Sequence, residues 1–182
     1  MQDGIDQLTR FFKQTVAAFA LAALMVPGPA AAQDTAQADE TVKATHGAWD
    51  VVCATATPDQ CTMRQIGKTA DGTKVLVVHI RKLEGVKAPD GKTFPGAIQI
   101  TTPLGTILRA GVKVQVDAGE PRTGVFEVCI PNGCILRDPL SEEFLASLKA
   151  GKVASLTFNV LQQGTLSVSI SLKGFTKAFG KL

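Results

Sequence analysis

Apolar and polar side chains alternate with period two over much of the chain. Leu76, Val78 and Ile80 alternate with Val75, Val77, His79 and Arg81, and Val112, Val114 and Val116 with Lys113, Gln115 and Asp117. Further on, Ala154, Leu156, Phe158 and Val160 alternate with Ser155, Thr157 and Asn159, and Leu166, Val168, Ile170 and Leu172 with Ser167, Ser169 and Ser171. Such alternation predicts strands with one buried and one wet face. Leu161-Gln-Gln-Gly164 between the last two runs fits a hairpin turn. Weaker strand signals cover 48–53, 61–67, 97–102, 106–109, 125–130 and 134–137.

Two segments have a helical pattern instead. Residues 139–150 place Leu140, Phe144, Leu145 and Leu148 on one side, with Ser141 as N-cap, Glu142 and Glu143 in the first turn and Lys149 in the last. Gly151 is expected to close this helix in a left-handed conformation. Over 172–182, Leu172, Phe175, Phe179 and Leu182 step by threes and fours against Lys173, Lys177 and Lys181. The expected fold is mostly β: an antiparallel β-sandwich or partly closed barrel, with one short covering helix and a short C-terminal helix. The irregular stretch 84–96, with Asp90-Gly91 between Pro89 and Pro95, reads as a mobile connection or a recognition loop.

The N-terminal region has a different composition. Arg10 and Lys13 precede an apolar run over 16–26, then Pro27-Gly-Pro29 and Ala30-Ala-Ala32. The run falls short of the ~20 residues a membrane span needs, and the small residues suit a signal peptidase. Residues 1–32 are therefore read as a secretory signal peptide, in preference to an uncleaved anchor, and the absence of cysteine at the cut argues against lipidation. Residues 33–45 read as a flexible leader and 46–182 as a single disulfide-bonded domain. The formal charge of +3, without a basic patch interleaved with aromatics, gives no reason to expect a nucleic-acid partner.

All four cysteines, Cys53, Cys61, Cys129 and Cys134, lie beyond the signal peptide, which predicts disulfides. Of the three pairings, proximity favours Cys53–Cys61 and Cys129–Cys134. Cys129-Ile-Pro-Asn-Gly-Cys134 has a four-residue spacer of turn chemistry between two strand-like flanks. That favours a cross-strand staple over a working dithiol, whose cysteines typically stand two residues apart at a helix start. His46 and His79 are the only histidines and no zinc-ligand spacing occurs, so no metal or other cofactor is expected. His79 reads as a solvated or edge-strand position. There is no nucleophile elbow, metalloprotease motif or phosphate loop. Glu142 and Glu143 serve the helix start, and Ser167, Ser169 and Ser171 read as a wet sheet face rather than nucleophiles.

Gly47-Ala-Trp49-Asp-Val-Val-Cys53 resembles the opening strand of the invasion-associated locus B family, with Cys61 after a short loop. Pro103-Leu-Gly105, Ala110-Gly-Val112 and Val116-Asp-Ala-Gly119 resemble its central segment. The segment from Phe126 to Cys134 resembles its second cysteine pair, and Leu148-Lys-Ala-Gly151 and Ser171-Leu-Lys-Gly-Phe175 complete the match. The resemblance implies an exported, disulfide-bonded β protein of Gram-negative, mostly alphaproteobacterial, origin, associated in some pathogens with virulence and host-cell invasion. It carries over the cysteines as structural residues and no catalytic set.

The function expected is a non-enzymatic periplasmic or envelope binding protein with a protein or envelope partner. Outer-membrane association or surface exposure are the further options for location. Lys173, Phe175, Lys177, Phe179 and Lys181 are the candidate partner or membrane surface, against the alternative that the phenylalanines dock on the sheet and the lysines are solvated. Competing readings are a thiol–disulfide redox factor using Cys129 and Cys134, and a host-facing invasion factor.

Overall fold

The computed structural model describes residues 40–84, 87 and 91–182. The signal-peptide reading, the first part of the leader and residues 85, 86 and 88–90 of the 84–96 loop fall outside these residues. The chain forms β1 (Glu40–His46), β2 (Trp49–Ala54), β3 (Thr57–Lys68), β4 (Lys74–Lys82), β5 (Gly96–Thr102), β6 (Val112–Val116), β7 (Arg122–Gly124), β8 (Phe126–Ile130) and β9 (Gly133–Leu140). Helix α1 (Glu142–Ala150), strands β10 (Val153–Val160) and β11 (Gly164–Ser171), and helix α2 (Phe175–Phe179) complete it.

Every pairing is antiparallel. A seven-stranded sheet runs β1-β2-β3-β4-β5-β9-β8, and a four-stranded sheet β11-β10-β6-β7. Inward residues of the large sheet (Met63, Val78, Ile80, Ile100, Leu136) and of the small sheet (Val112, Leu156, Phe158, Ile170) form one core. This is a β-sandwich, with the alternation expected when each sheet buries one face. Buried Thr102 and Thr106 are satisfied by bonding each other at 2.9 Å and the carbonyls of Cys134 and Pro103.

At one end, the sheets are joined by a polar clasp. The Gln65 side chain, on the inner face of β3, donates to the Ser171 carbonyl at 2.8 Å and accepts from the Ser171 N–H at 2.9 Å. The Trp49 indole N–H donates to the same carbonyl at 2.9 Å. The chain then turns into α2, where Phe175 meets Trp49 edge-to-face with centroids 5.3 Å apart. The β1–β2 turn and the entry to α2 interlock backbone to backbone, with the Ala48 N–H bonded to the Lys173 carbonyl at 3.0 Å. A Cβ on Gly174 (φ 88°) would stand 2.0 Å from the His46 carbonyl oxygen, and one on Gly47 (φ 62°) 2.3 Å from that of Lys173. Only glycine permits both the left-handed backbone and this approach.

Several expectations change. Residues 40–45, read as leader, form most of β1; as an edge strand it is mostly exposed and held by main-chain pairing to β2, so it carries no apolar alternation. The strand expected over 106–109 is a single bridge from Thr106 to Val160 and then a 3-10 turn, Leu108–Ala110, because this segment crosses between sheets. Pro139 and Leu140 belong to β9, so α1 starts at Glu142; Ser141 caps it as expected, accepting from the Phe144 N–H. Gly151 is extended (φ −73°, ψ 169°) rather than left-handed. Its small size is needed because a Cβ would lie 2.4 Å from Val116. The C-terminal helix is one short turn, Phe175–Phe179, bounded by Gly174 and Gly180.

Phe175 is 1% exposed and Lys177 on the same turn is exposed. Phe175→Ala should therefore lower unfolding free energy by about 3–5 kcal/mol. Lys177→Ala should stay within about 0.5 kcal/mol of wild type, with both read by denaturant titration of the oxidised protein.

Candidate functional site

The two disulfides join directly paired residues on neighbouring strands of the large sheet. Cys53 on β2 is bonded to its register partner Cys61 on β3, with Cα atoms 4.0 Å apart. Cys129 on β8 is bonded to its partner Cys134 on β9, with Cα atoms 3.9 Å apart. The cysteine pairing favoured by proximity is the one formed, and no cysteine is free. Pro131 and Asn132 make the turn between β8 and β9, while Gly133 (φ 136°) packs so tightly on β5 that a Cβ would meet the Thr102 carbonyl oxygen at 2.4 Å.

The C-terminal candidate surface divides. Lys173, Lys177 and Lys181 are exposed, whereas Phe175 and Phe179 are buried and stacked on each other with centroids 6.2 Å apart. Lys149 of α1 lies 5.1 Å over the Phe179 ring. The docked alternative is thus the arrangement found, and the surface offers lysines without an apolar face. Beside the 84–96 loop, the Leu83 N–H bonds the Pro95 carbonyl at 3.0 Å, and Lys87 bridges Thr93, so these described residues prolong the β4–β5 hairpin. Glu143 pairs with Arg122 at 3.1 Å, and Ser167 faces Thr157 across the outer side of the small sheet at 3.2 Å.

The more structured polar feature is on the outer face of the large sheet. Register aligns Asp50, Arg64, His79, Gln99 and Arg137 in one row from β2 to β9. Glu40, reaching over from β1, bonds Arg64 at 2.9 Å and lies 4.0 Å from His79. At the far end Arg137 bonds Gln99 at 2.9 Å and Glu127 at 2.8 Å. Arg64 Nε and His79 Nδ1 are buried without a protein partner among the described residues. His79 is on a central strand between β3 and β5, which corrects its reading as a solvated or edge position. Burial pushes its imidazole below the ordinary histidine range, the Glu40 carboxylate opposes this and the Arg64 guanidinium adds to it.

A groove runs beside the row. One cavity of about 410 Å³ is lined by His79, Gln99, Arg81, Leu83, Ala97 and Pro139, among others. A second, of about 640 Å³, shares Thr62 and Arg81 with it and extends toward Glu40 and Val52. The strand alternation placed His79 and Arg81 on one face, but only the register across five strands shows that the face is a built groove. Among the described residues, no three or more His, Cys, Asp or Glu side chains cluster as a metal site would require. No described helix is long and apolar enough to cross a membrane.

Folded His79 resists a proton that the unfolded chain accepts near pH 6.5. Stability should therefore fall as pH drops through that value and level off below the folded pKa. Thermal unfolding between pH 8 and 5 should show this loss in the wild type and a shallower one in His79→Gln; parallel profiles would exclude His79 as its source. Replacing Cys129 and Cys134 together by alanine should cost roughly 2–3 kcal/mol, the loop-closure value for a short ring, in urea titrations of the oxidised protein.

Comparison with known proteins places this geometry. The family model described as "Invasion associated locus B (IalB) protein" matches residues 49–182. An invasion protein B homolog of Brucella abortus is 29% identical over 145 residues, covering 78% of this chain and 79% of that protein. Invasion protein B of Bartonella bacilliformis is 24% identical over 145 residues, covering 76% and 73%. The crystal structure of invasion associated protein B from Bartonella henselae has the same fold, with a TM-score of 0.60 and 23% identity over 78% of this chain and 95% of that one. With a family model matched from the strand that carries Trp49 to the last residue, the chain belongs to the invasion associated locus B family.

Proposed function

We propose that the protein is exported to the periplasm and acts as a non-enzymatic interaction module of the cell envelope, using the outer face of its large sheet. The observation that carries this is the use of every cysteine in a cross-strand disulfide. Such bonds persist in oxidising compartments, and a leader of signal-peptide composition precedes them. Each staple holds one flank of the sheet, with Cys53–Cys61 between β2 and β3 and Cys129–Cys134 between β8 and β9. Reinforcing both flanks suits a sheet whose outer face must keep a fixed shape for a partner. The family connection supports a contribution to host-cell invasion where the organism is a pathogen, as the names of the Brucella and Bartonella relatives say of those proteins.

The staple arrangement weighs against a thiol–disulfide redox factor. Cys129 and Cys134 lie on paired strands rather than at a helix start, where backbone dipoles would stabilise a thiolate. Contact with a membrane surface would have to rely on Lys173, Lys177 and Lys181 alone, since the phenylalanines between them are buried.

Protease treatment of intact cells, compared with osmotically shocked cells, tests the location. Protection in intact cells and soluble, fully oxidised release on shock is the expected result. Digestion in intact cells would move the site of action to the surface, and retention in the cytoplasm with reduced thiols would overturn export.

A further inference from the structure

The charges lining the smaller cavity are not equivalent. Arg137 is spent on Glu127 and Gln99, at 2.8 and 2.9 Å. Burial pushes the Asp138 carboxyl above its ordinary range, and the Arg122 guanidinium opposes this only in part. Arg81 lines the same cavity, projects from β4 beside Ala97 of β5, and has no ion pair or hydrogen bond from its side chain among the described residues. It is the one lining arginine without an ion pair among the described residues, although Glu40, Asp59 and Glu84 line the adjoining cavity that shares it. Next to it, Leu83, Ala97 and Pro139 give the cavity an apolar wall, and Gln99 and His79 its polar end. The volume of about 410 Å³ lies within the range of small-molecule sites.

We propose that this groove binds a small organic monocarboxylate, its carboxylate on Arg81 and its apolar body against Leu83, Ala97 and Pro139. A guanidinium presents a planar fork that a carboxylate matches with two parallel hydrogen bonds, whereas a cation has no use for a wall already carrying a free arginine. A dianion would find only one uncompensated charge, and a bare inorganic anion would leave the apolar wall uncovered. The second cavity, which shares Arg81, leaves the guanidinium reachable from the side of β3. The inference rests on the reading of the chain as a binding module, but a solution titration is indifferent to where the cell places the protein, so the two can fail separately.

The test uses the purified, disulfide-bonded protein and 3-phenylpropionate as probe, with 3-phenylpropanamide as its neutral counterpart and inorganic phosphate as the bare anion. Binding is monitored at pH 7.5 by NMR shifts of the Ala97 methyl and the Gln99 side-chain amide. Saturable shifts at both with the carboxylate, and at least about tenfold weaker binding of the amide, are expected from the loss of a charge-assisted bond. Arg81→Gln should weaken the carboxylate by a similar factor with an unchanged melting temperature, since Arg81 is exposed. Lys113→Gln, on the small sheet, should leave binding as in wild type. Equal affinity for acid and amide, no shift at Ala97 and Gln99, phosphate binding as tight as the carboxylate, or unaltered binding by Arg81→Gln would each overturn the proposal. The acid–amide comparison needs no variant, so it decides even if Arg81→Gln misfolds.

Discussion

Ser171 is where the two sheets are made into one molecule. Its N–H and carbonyl lie at the last residue of β11, an edge strand, where the ladder can no longer pair them outward. Gln65 supplies both a donor and an acceptor, so one side chain replaces a missing strand, and the Trp49 indole adds a second donor to the carbonyl. Leaving those groups buried and unpaired would cost a large part of a hydrogen bond each. Because Gln65 sits on β3 and Trp49 on β2, meeting this demand also sets how the small sheet lies on the large one.

The chain beyond Ser171 inherits that placement. Leu172 enters the core, Gly174 turns the chain against the His46 carbonyl, and Phe175 lands on Trp49. The start and the end of the domain thus brace each other. The two segments that resemble the family at its extremes, Gly47-Ala-Trp49 and Ser171-Leu-Lys-Gly-Phe175, are far apart in the chain and in direct contact in the fold. Their residue types are explained by that contact: glycines where backbones touch, an indole that both packs and donates, and an aromatic to meet it.

The parts of this fold that could be read from sequence are those whose cause is local. Alternation around Val78, Val114, Leu156 and Val168 reports a strand with one buried face, and each became one. Ser141 and the acidic first turn announced α1, and Pro-Asn-Gly between Cys129 and Cys134 announced their hairpin. The misses have non-local causes. Strand β1 exists because β2 offers it an edge, Gly151 is required by Val116 on another strand, and α2 is cut short where Gly174 meets the β1–β2 turn. The groove was the least legible feature, since Arg81, Ala97 and Pro139 become neighbours only through the β4–β5–β9 register.

That division between core and groove has a physical consequence for how the family's surface can vary. The inner face of the large sheet must match the small sheet side chain by side chain, because interiors tolerate little change in volume. The outer row from Asp50 to Arg137 faces no second sheet and is held by main-chain register and by the bonds of Arg64 to Glu40 and of Arg137 to Gln99 and Glu127. Under the binding proposed for the groove, exchanging Arg81 or Gln99 changes what it holds while leaving the clasp at Ser171 and the aromatic contact at Trp49 intact. The packed core thus lies on one side of the sheet and the proposed binding groove on the other. A chain that shares only 23% of its residues with the Bartonella henselae protein can then keep that protein's fold while the outer face varies.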